Sequence, residues 1–275
     1  MTETIAHALQ SCALPLLEAR MLMQCVTGYS RVQLLTHDTE FLKADQQNHW
    51  QRLVARRVQG EPMAYILGER EFYGRMFVVN SHVLIPRPDT ETLIDAVLSD
   101  FGTQALSMID LGTGSGAIAL TLAAERPSWN VCATDISAQA LEVARQNAQR
   151  LNTSVRFFEG DWWDALPADE SLKFHIIVSN PPYIEANDTH LSEGDVRFEP
   201  IGALTDGADG LQHYRGILRN LAQYLHPNGA VYFEHGYNQG ASVRALLSQA
   251  GLTQVRTIQD LSGNDRVSTG IFITT

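Results

Sequence analysis

The chain is poor in cysteine and contains no long apolar run. Its three cysteines, Cys12, Cys25 and Cys132, are widely separated, so they suggest neither a disulfide framework nor a zinc site. Free thiols are typical of a reducing compartment, which predicts a cytoplasmic protein. No stretch of 18 apolar residues is present, and the first residues lack the basic and apolar segments of a signal peptide. We therefore expect no membrane span and no metal site.

Basic residues are outnumbered by acidic ones. The chain has 20 Lys or Arg and 31 Asp or Glu, which gives a formal net charge of −11. Residues 1–75 hold eight Lys or Arg and eight Asp or Glu, whereas residues 76–275 hold 12 and 23. Enzymes that act on nucleic acids usually carry a basic face, and a negative field repels phosphate backbones. The charge distribution therefore predicts no direct nucleic-acid partner.

The first 60 residues show the apolar spacing of helices. Leu14, Leu17, Met21 and Val26 recur at roughly helical intervals up to Gly28, which ends the helix. We predict a small helical domain over residues 1–80 and assign it to partner recognition.

A second helix of this domain is predicted over Ala44–Val58. It carries Arg52, Arg56 and Arg57 on its surface. The sequence does not separate a solvated helix face from a docking surface here.

Residues 71–98 contain a predicted hairpin, a proline-rich loop and a helix. Residues 71–79 predict a short hairpin around Gly74. The proline-rich segment Leu84–Glu91 predicts an ordered loop, and Asp89 or Thr90 is expected to cap the helix that continues through Leu98.

From Ser107 onward, segments of strand and helix length alternate. Strands are predicted at 108–111, 131–134, 155–158, 174–178, 230–233, 255–258 and 270–273, and helices at 117–124, 138–150, 211–225 and 243–250. This alternation predicts an α/β domain over residues 81–275, built on a doubly wound, mostly parallel sheet with helices on both faces.

A tight turn follows the first strand of this domain and leads into a helix. The turn consists of Gly112, Thr113, Gly114, Ser115 and Gly116. Glycines let the backbone approach a ligand closely, and the helix N-terminus points at that ligand. Asp135 ends the next strand, where a carboxylate accepts both ribose hydroxyls of an adenosine. The spacing from Gly112 to Ala117 also fits a dinucleotide motif, so a nicotinamide cofactor stays an alternative.

Asp161 and Trp162 follow the third strand, where an adenine lies in folds of this kind. The carboxylate accepts from an adenine amino group, and the indole stacks on the ring or walls it. A plain core role for Trp162 fits the sequence equally well. Which of Trp162 and Trp163 contacts a cofactor stays open.

The fourth strand ends at Ser179, and Asn180, Pro181, Pro182 and Tyr183 follow it. Two prolines cannot continue a strand, because proline lacks the N–H of the ladder, so the chain leaves the sheet in a stiff turn. The turn presents a side-chain amide, backbone carbonyls and an aromatic ring. This set is suited to a planar amide or amine, although an Asn-Pro turn that merely caps the strand is the alternative. We expect the turn to face the glycine turn, because carboxyl ends of parallel strands share one edge.

Together, the glycine turn, Asp135 and the Asn180–Tyr183 turn resemble a class I S-adenosylmethionine methyltransferase that acts on a planar nitrogen. Adenine-N6 DNA methyltransferases and protein glutamine-N5 methyltransferases share the Asn-Pro-Pro-Tyr motif. The second branch is resembled more closely, through residues 84–91, 195–200 with 209–211, and 264–267. Most of the chain is similar to the HemK/PrmC type, which methylates the Gly-Gly-Gln glutamine of bacterial class 1 peptide chain release factors. The family often has Glu where this chain has Asp89.

The resemblance implies S-adenosyl-L-methionine as the cofactor and a class 1 release factor as the protein partner. The implied cofactor site is Gly112, Thr113, Gly114, Ser115, Gly116, Asp135, Asp161, Trp162 and Asn180. The implied substrate site is Asn180, Pro181, Pro182 and Tyr183, with Asn180, Pro181 and Tyr183 as the catalytic residues.

In the implied mechanism, the Asn180 side-chain oxygen and the Pro181 carbonyl each accept one N–H of the substrate amide, while Tyr183 packs on its face. His235 is expected to be structural. The alternatives are an adenine-N6 methyltransferase of DNA or RNA, a glutamine methyltransferase of a ribosomal protein, and a nicotinamide-dependent oxidoreductase.

Overall fold

The computed structural model describes residues 3–168 and 172–273, which divide into two compact units. The helical unit comprises the chain up to Glu69 together with Gly194–Phe198. The sheet unit comprises Arg70–Glu193 and the chain from Glu199 onward. The division falls after Glu69, the first residue of the hairpin, whereas the sequence suggested residue 80. Hairpin residues Phe72 and Phe77 are fully buried in a core of the sheet unit, which explains why the hairpin belongs there.

The described part of the helical unit contains five α-helices. They are Ile5–Ser11 (α1), Leu16–Thr27 (α2), Arg31–Thr36 (α3), Ala44–Val58 (α4) and Met63–Leu67 (α5). The two helices predicted from the sequence are present as α2 and α4. Gly28 ends α2 in the left-handed conformation, with φ of +74°, which glycine adopts without a steric penalty.

The buried side of α2 differs from the spacing seen in the sequence. Leu17 and Met21 are exposed. The residues of α2 that enter the apolar core are Ala19, Leu22, Met23 and Val26. Leu16 is exposed as well, so three large apolar side chains of α2 are left at the surface.

The basic side of α4 is largely neutralised within the helical unit. Arg57 forms ion pairs with Glu18 at 2.8 Å and Asp195 at 3.2 Å. Arg56 pairs with Glu61 at 2.5 Å. These arginines stabilise the unit and do not form a free basic patch.

The sheet unit begins with the predicted hairpin, formed by Glu69–Phe72 (β1) and Arg75–Val78 (β2). The main sheet has seven strands within the described residues. They are Ser107–Leu111 (β3), Asn130–Asp135 (β4), Arg156–Glu159 (β5), Phe174–Ser179 (β6), Leu225–Glu234 (β7), Thr253–Gln259 (β8) and Asp265–Phe272 (β9). Their order is β5-β4-β3-β6-β7-β9-β8, and β9 runs opposite to the other six, pairing antiparallel with β7 and β8. The predicted doubly wound, mostly parallel sheet is confirmed.

Six α-helices cover the sheet in the described part of this unit. They are Glu91–Asp100 (α6), Ala117–Glu125 (α7), Ala138–Leu151 (α8), Gln212–Arg219 (α9), Leu221–Tyr224 (α10) and Gly240–Gln249 (α11). Along β6, Ile176 belongs to the core with α6, α7 and α8, whereas Ile177 belongs to the core with α9, α10 and α11. Because successive strand residues point to opposite faces, the two cores lie on opposite sides of the sheet. None of the helices in the described residues has the length and apolar character that a membrane crossing requires.

Two predicted elements differ from the structure. The single helix predicted over 211–225 is wrong, because Asn220, with φ of −113°, interrupts it between α9 and α10. The predicted side-chain cap of α6 is also wrong. Thr90 stands at the N-cap position in a helical conformation, and its side chain makes no cap bond to the described residues. A capping side chain requires an extended backbone instead.

The site is positioned by the carboxyl ends of four parallel strands. β3, β4, β5 and β6 end at Leu111, Asp135, Glu159 and Ser179. In open α/β sheets ligands bind at this edge, because the following loops gather there. The predicted site residues all follow or end these strands.

Candidate active site

The glycine turn connects β3 to α7 through backbone that strongly favours glycine. Gly112, Gly114 and Gly116 have φ of +74°, +55° and +83°. A Cβ on Gly116 would lie 2.7 Å from Leu120 Cδ1. A Cβ on Gly114 would meet no atom within 4 Å, because this residue borders open space. The turn therefore presents bare backbone to the space beyond the sheet.

Asp135 at the end of β4 is fixed against this turn. Its Oδ2 accepts from the Gly114 N–H at 2.8 Å, and its Oδ1 accepts from the Ser137 N–H at 2.9 Å. Burial raises the pKa of Asp135, while these backbone hydrogen bonds lower it. Each carboxylate oxygen keeps further acceptor capacity, so the side chain can also bind ligand hydroxyls.

Asp110 is a buried acid that the sequence reading missed. Its Oδ2 accepts from Thr113 Oγ1 at 2.6 Å and from the Ala119 N–H at 3.2 Å. Desolvation raises the pKa of Asp110 to about 7. Its Oδ1 has no hydrogen-bond partner among the described residues. The sequence does contain a signal for Asp110 as a site residue. It is an acidic residue inside an otherwise apolar strand, two positions before Gly112.

The two tryptophans after β5 have different environments. The Trp162 ring would lie 3.1 Å from a Cβ on Gly112 and is tilted against His213 at 5.3 Å between ring centroids. Trp163 is buried, stacks on Tyr224 and donates from Nε1 to the Ile217 carbonyl at 2.8 Å. Trp162 therefore borders the glycine turn, whereas Trp163 is a core residue.

The Asn-Pro-Pro-Tyr turn leaves β6 beside β3, because Ser179 Oγ donates to the Leu111 carbonyl at 2.6 Å. Asn180 Nδ2 donates to Thr90 Oγ1 at 3.4 Å. The Tyr183 carbonyl accepts from Gln239 Nε2 at 3.0 Å. Burial raises the pKa of Tyr183 far above its ordinary value. The turn is thus tied to the sheet at both ends.

These loops enclose a cavity of about 280 Å³. Nine predicted site residues line it, namely Gly112, Thr113, Gly114, Ser115, Asp135, Asp161, Trp162, Asn180 and Pro182. Gly116, Pro181 and Tyr183 are not on its wall. Tyr183 packs instead against the core below α9 and α11. The cavity wall also includes residues that the sequence did not indicate, among them His82, Arg87, Thr90 and His213.

The loop that carries Arg87 is held by a buried acid. The Glu199 side chain is fully buried, and it accepts from the Arg87 guanidinium and from the Ile85 N–H at 3.1 Å. Leu84–Arg87 and Glu199–Pro200 are two of the segments that carry the family resemblance. Within the described residues, no group of three His, Cys, Asp or Glu side chains could hold a metal ion.

Two family models match the chain. One, described as the PrmC N-terminal domain, matches residues 2–68. The other, described as the methyltransferase small domain, matches residues 88–196.

Sequence relatives extend over nearly the whole chain. A release factor glutamine methyltransferase of Bordetella pertussis is 51% identical and covers 94% of this chain and 95% of its own. A release factor glutamine methyltransferase of Neisseria gonorrhoeae is 50% identical and covers 94% of both chains. At this identity and coverage, the likeness extends over both the helical unit and the sheet unit.

Solved structures share the fold at low sequence identity. A methyltransferase from Pyrococcus furiosus matches with a TM-score of 0.56 and 19% identity, covering 80% of this chain and 98% of its own. A 16S rRNA N2 G1207 methyltransferase of T. thermophilus, in complex with AdoMet and guanosine, matches with a TM-score of 0.51 and 18% identity. It covers 74% of this chain and 49% of its own. These likenesses confirm the class I methyltransferase fold.

Proposed function

The chain belongs to the release factor glutamine methyltransferase family, and from that premise we propose its reaction and substrate. It is a methyltransferase that transfers a methyl group to the side-chain amide nitrogen, N5, of a glutamine. The substrate is the Gly-Gly-Gln motif of class 1 peptide chain release factors. The observation that carries the proposal is the Asn180 side chain on the wall of a cavity bordered by the glycine turn and Asp135.

The cavity residues fit S-adenosyl-L-methionine. The glycine turn provides open backbone at Gly114, and the Asp135 carboxylate would hold the ribose hydroxyls. Trp162 and Asp161 would hold the adenine through ring packing and a carboxylate acceptor. When bound, this cofactor supplies an electrophilic methyl group on a sulfonium sulfur.

Asn180 orients the acceptor amide. Its Nδ2 donates to Thr90 Oγ1 at 3.4 Å, and the buried Glu234 lies nearby. The side-chain oxygen is therefore the atom free to accept from a substrate N–H. An amide nitrogen is a poor nucleophile because its lone pair is delocalised into the carbonyl. Orientation by acceptors that strengthen as positive charge builds on nitrogen is the main source of rate.

Pro181 and Tyr183 complete the proposed substrate site. The Pro181 carbonyl accepts the second amide N–H, and the Tyr183 ring packs on the amide face. These two roles rest on the family motif, because neither residue lines the cavity. The excess proton leaves to water after methylation, so no histidine base is required. His235 is buried with Nε2 2.9 Å from Ser268 Oγ, which supports a structural role.

The helical unit is the proposed recognition module for the release factor. Leu17, Val32 and Leu35 are large apolar side chains that remain exposed on α2 and α3. Exposed apolar side chains on one small unit are suited to docking another protein. The reaction is placed in the cytoplasm, which agrees with three free cysteines in the structure. An adenine-N6 acceptor shares the motif, but the names of the full-length relatives favour glutamine.

The test of this proposal is Asn180→Ala. We expect kcat to fall about 10²-fold or more, because an orienting acceptor that acts in the transition state is lost. The affinity for S-adenosylmethionine should change little. Methylation of the release factor is measured by mass spectrometry, and cofactor binding by calorimetry. The matched control is Asn130→Ala, an exposed asparagine at the start of β4. Near-normal turnover of Asn180→Ala would remove Asn180 from the proposed mechanism.

A further inference from the structure

Glu234 is a buried acid behind the Asn-Pro-Pro-Tyr turn. It ends β7 and is 1% exposed. Burial raises the pKa of its carboxyl group, and the Thr90 and Asn180 side chains, which lie beside that group, lower it. Its Oε2 has no hydrogen-bond partner among the residues that the structure describes. The side chain does not line the cavity, so it acts on the site through its neighbours.

The charged groups around Glu234 come from several elements. Arg266 on β9, Asp89 before α6 and the two tyrosines Tyr183 and Tyr214 interact with it electrostatically. Arg266 is nevertheless occupied by direct ion pairs with other acids, at 3.2 Å to Asp89 and 3.1 Å to Asp260. No direct ion pair therefore neutralises the Glu234 carboxylate within the described residues.

A buried carboxylate without an ion pair is costly, and a neutral side chain of similar size would stabilise the fold more. A functional reason is therefore needed. The amide of Asn180 has nearly the same shape after a 180° flip, but the flip exchanges an acceptor for a donor. The Thr90 hydroxyl does not fix this choice, because a hydroxyl both donates and accepts. An ionised carboxylate only accepts, so it selects the orientation with Nδ2 inward.

We propose that Glu234 is a positioning residue for methyl transfer, whose carboxylate holds the Asn180 amide with its oxygen towards the substrate glutamine. This inference rests on the proposed function. A protonated Glu234 can donate to the Asn180 oxygen and so favours the flipped amide. The flipped amide presents an N–H to the substrate N–H, and the two donors repel each other. Glutamine methylation therefore requires the ionised form of Glu234.

The charge state of Glu234 changes near neutral pH, because burial raises its pKa to about 7. The ionised fraction falls about tenfold between pH 8 and pH 6. At saturating cofactor we expect kcat of the wild-type enzyme to fall by about the same factor. Asp110 also has a pKa raised to about 7, but it lies under the glycine turn. Its titration should change the KM for the cofactor rather than kcat.

The deciding experiment compares kcat from pH 6 to pH 8 in the wild type, Glu234→Gln and Asp110→Asn. Glu234→Gln keeps the shape and one acceptor oxygen but cannot titrate in this range. We expect it to lower kcat at pH 8, leave cofactor affinity near wild type and remove the acidic fall in kcat. Asp110→Asn should retain that fall. Thermal unfolding of each variant establishes that the folded protein is being assayed.

Two outcomes overturn the inference. One is a wild-type kcat that stays constant between pH 6 and pH 8, which needs no variant. The other is a Glu234→Gln enzyme that keeps the wild-type acidic fall. If the folded wild type fails to methylate the release factor at every pH, the proposed function is contradicted, and the role of Glu234 falls with it.

Discussion

Asn180 joins two segments that are far apart in the chain. Its Nδ2 donates to Thr90 Oγ1 at 3.4 Å, and the buried Glu234 lies beside both side chains. Asn180 also lies on the cavity wall. The side chain that would bind substrate is thus oriented by groups that never reach the substrate. Such indirect positioning is common in sites that need an accurate acceptor geometry.

Asp135→Asn is expected to weaken cofactor binding about 10- to 100-fold, because a hydrogen bond to a charged group contributes about 1.5–3 kcal/mol. In the wild type, both carboxylate oxygens of Asp135 accept from backbone N–H groups. Asparagine has only one side-chain oxygen, so its NH2 group would face either the Gly114 N–H or the Ser137 N–H. Calorimetric titration with S-adenosylmethionine measures the effect. Glu159→Gln, an exposed acid at the end of β5, is the control. Equal affinities for the two variants would contradict the role of Asp135.

Glu234→Gln is expected to stabilise the folded protein at pH 8. Burial raises the pKa of Glu234 from its ordinary value of 4.5 to about 7. Its contribution to stability is therefore fully present below pH 4.5 and is lost as the pH rises through about 7. The loss is on the order of 3 kcal/mol, and a neutral amide avoids it.

Melting temperatures of the wild type and Glu234→Gln at pH 8 and pH 5 measure this effect. The variant should gain stability at pH 8, and the gain should shrink towards pH 5. The same difference at both pH values would show that Glu234 does not change its proton affinity on folding. Glu159→Gln again serves as the exposed control.

At the scale of elements, Asn147 connects α8 to two segments of the sheet unit. Its Nδ2 donates to the Val78 carbonyl at 3.0 Å and the Ser115 carbonyl at 2.9 Å. Its Oδ1 accepts from the Val78 N–H at 2.7 Å. Asn147 is fully buried, and its one side chain satisfies three backbone groups of Val78 and Ser115.

Asn147→Ala is expected to destabilise the protein by about 2–4 kcal/mol, because buried backbone groups lose their partners. It should also weaken cofactor binding, since Ser115 belongs to the glycine turn. Urea denaturation and cofactor titration are the measurements. The exposed Asn130→Ala should change stability by less than about 0.5 kcal/mol. A loss no larger than that of the control would mean that water replaces the amide at Asn147.

The elements predicted correctly from the sequence are those whose conformation is determined by residues close together in the chain. Short apolar runs located the parallel strands, and the Gly112–Gly116 turn followed from residues that tolerate positive φ. The break between α9 and α10 was not predicted, because Asn220 is a tolerated helix residue and its backbone conformation depends on tertiary packing.

The missed site features depend on contacts between distant segments. Thr90, Asn180 and Glu234 come from three parts of the chain and meet only after folding. Arg87 and Glu199 likewise pair across more than a hundred residues. No periodicity or spacing rule encodes such pairs, so one sequence alone does not reveal them.

At the scale of the molecule, acidity is concentrated in the part of the chain that carries the site. Residues 76–275 hold 12 Lys or Arg and 23 Asp or Glu, and the arginines Arg56 and Arg57 of the helical unit are paired. This distribution opposes binding of a phosphate backbone and favours a protein acceptor. The proposed substrate class therefore agrees with both the site and the overall charge.

The most direct test of the account is the fate of the methyl group. The full-length protein is incubated with labelled S-adenosylmethionine and a class 1 release factor, and in parallel with duplex DNA. Mass spectrometry then locates the modification in the release factor. We predict one added methyl group on the glutamine of the Gly-Gly-Gln motif and no label in the DNA. Label in the DNA, or an unmodified Gly-Gly-Gln glutamine after incubation with active enzyme, would contradict the account.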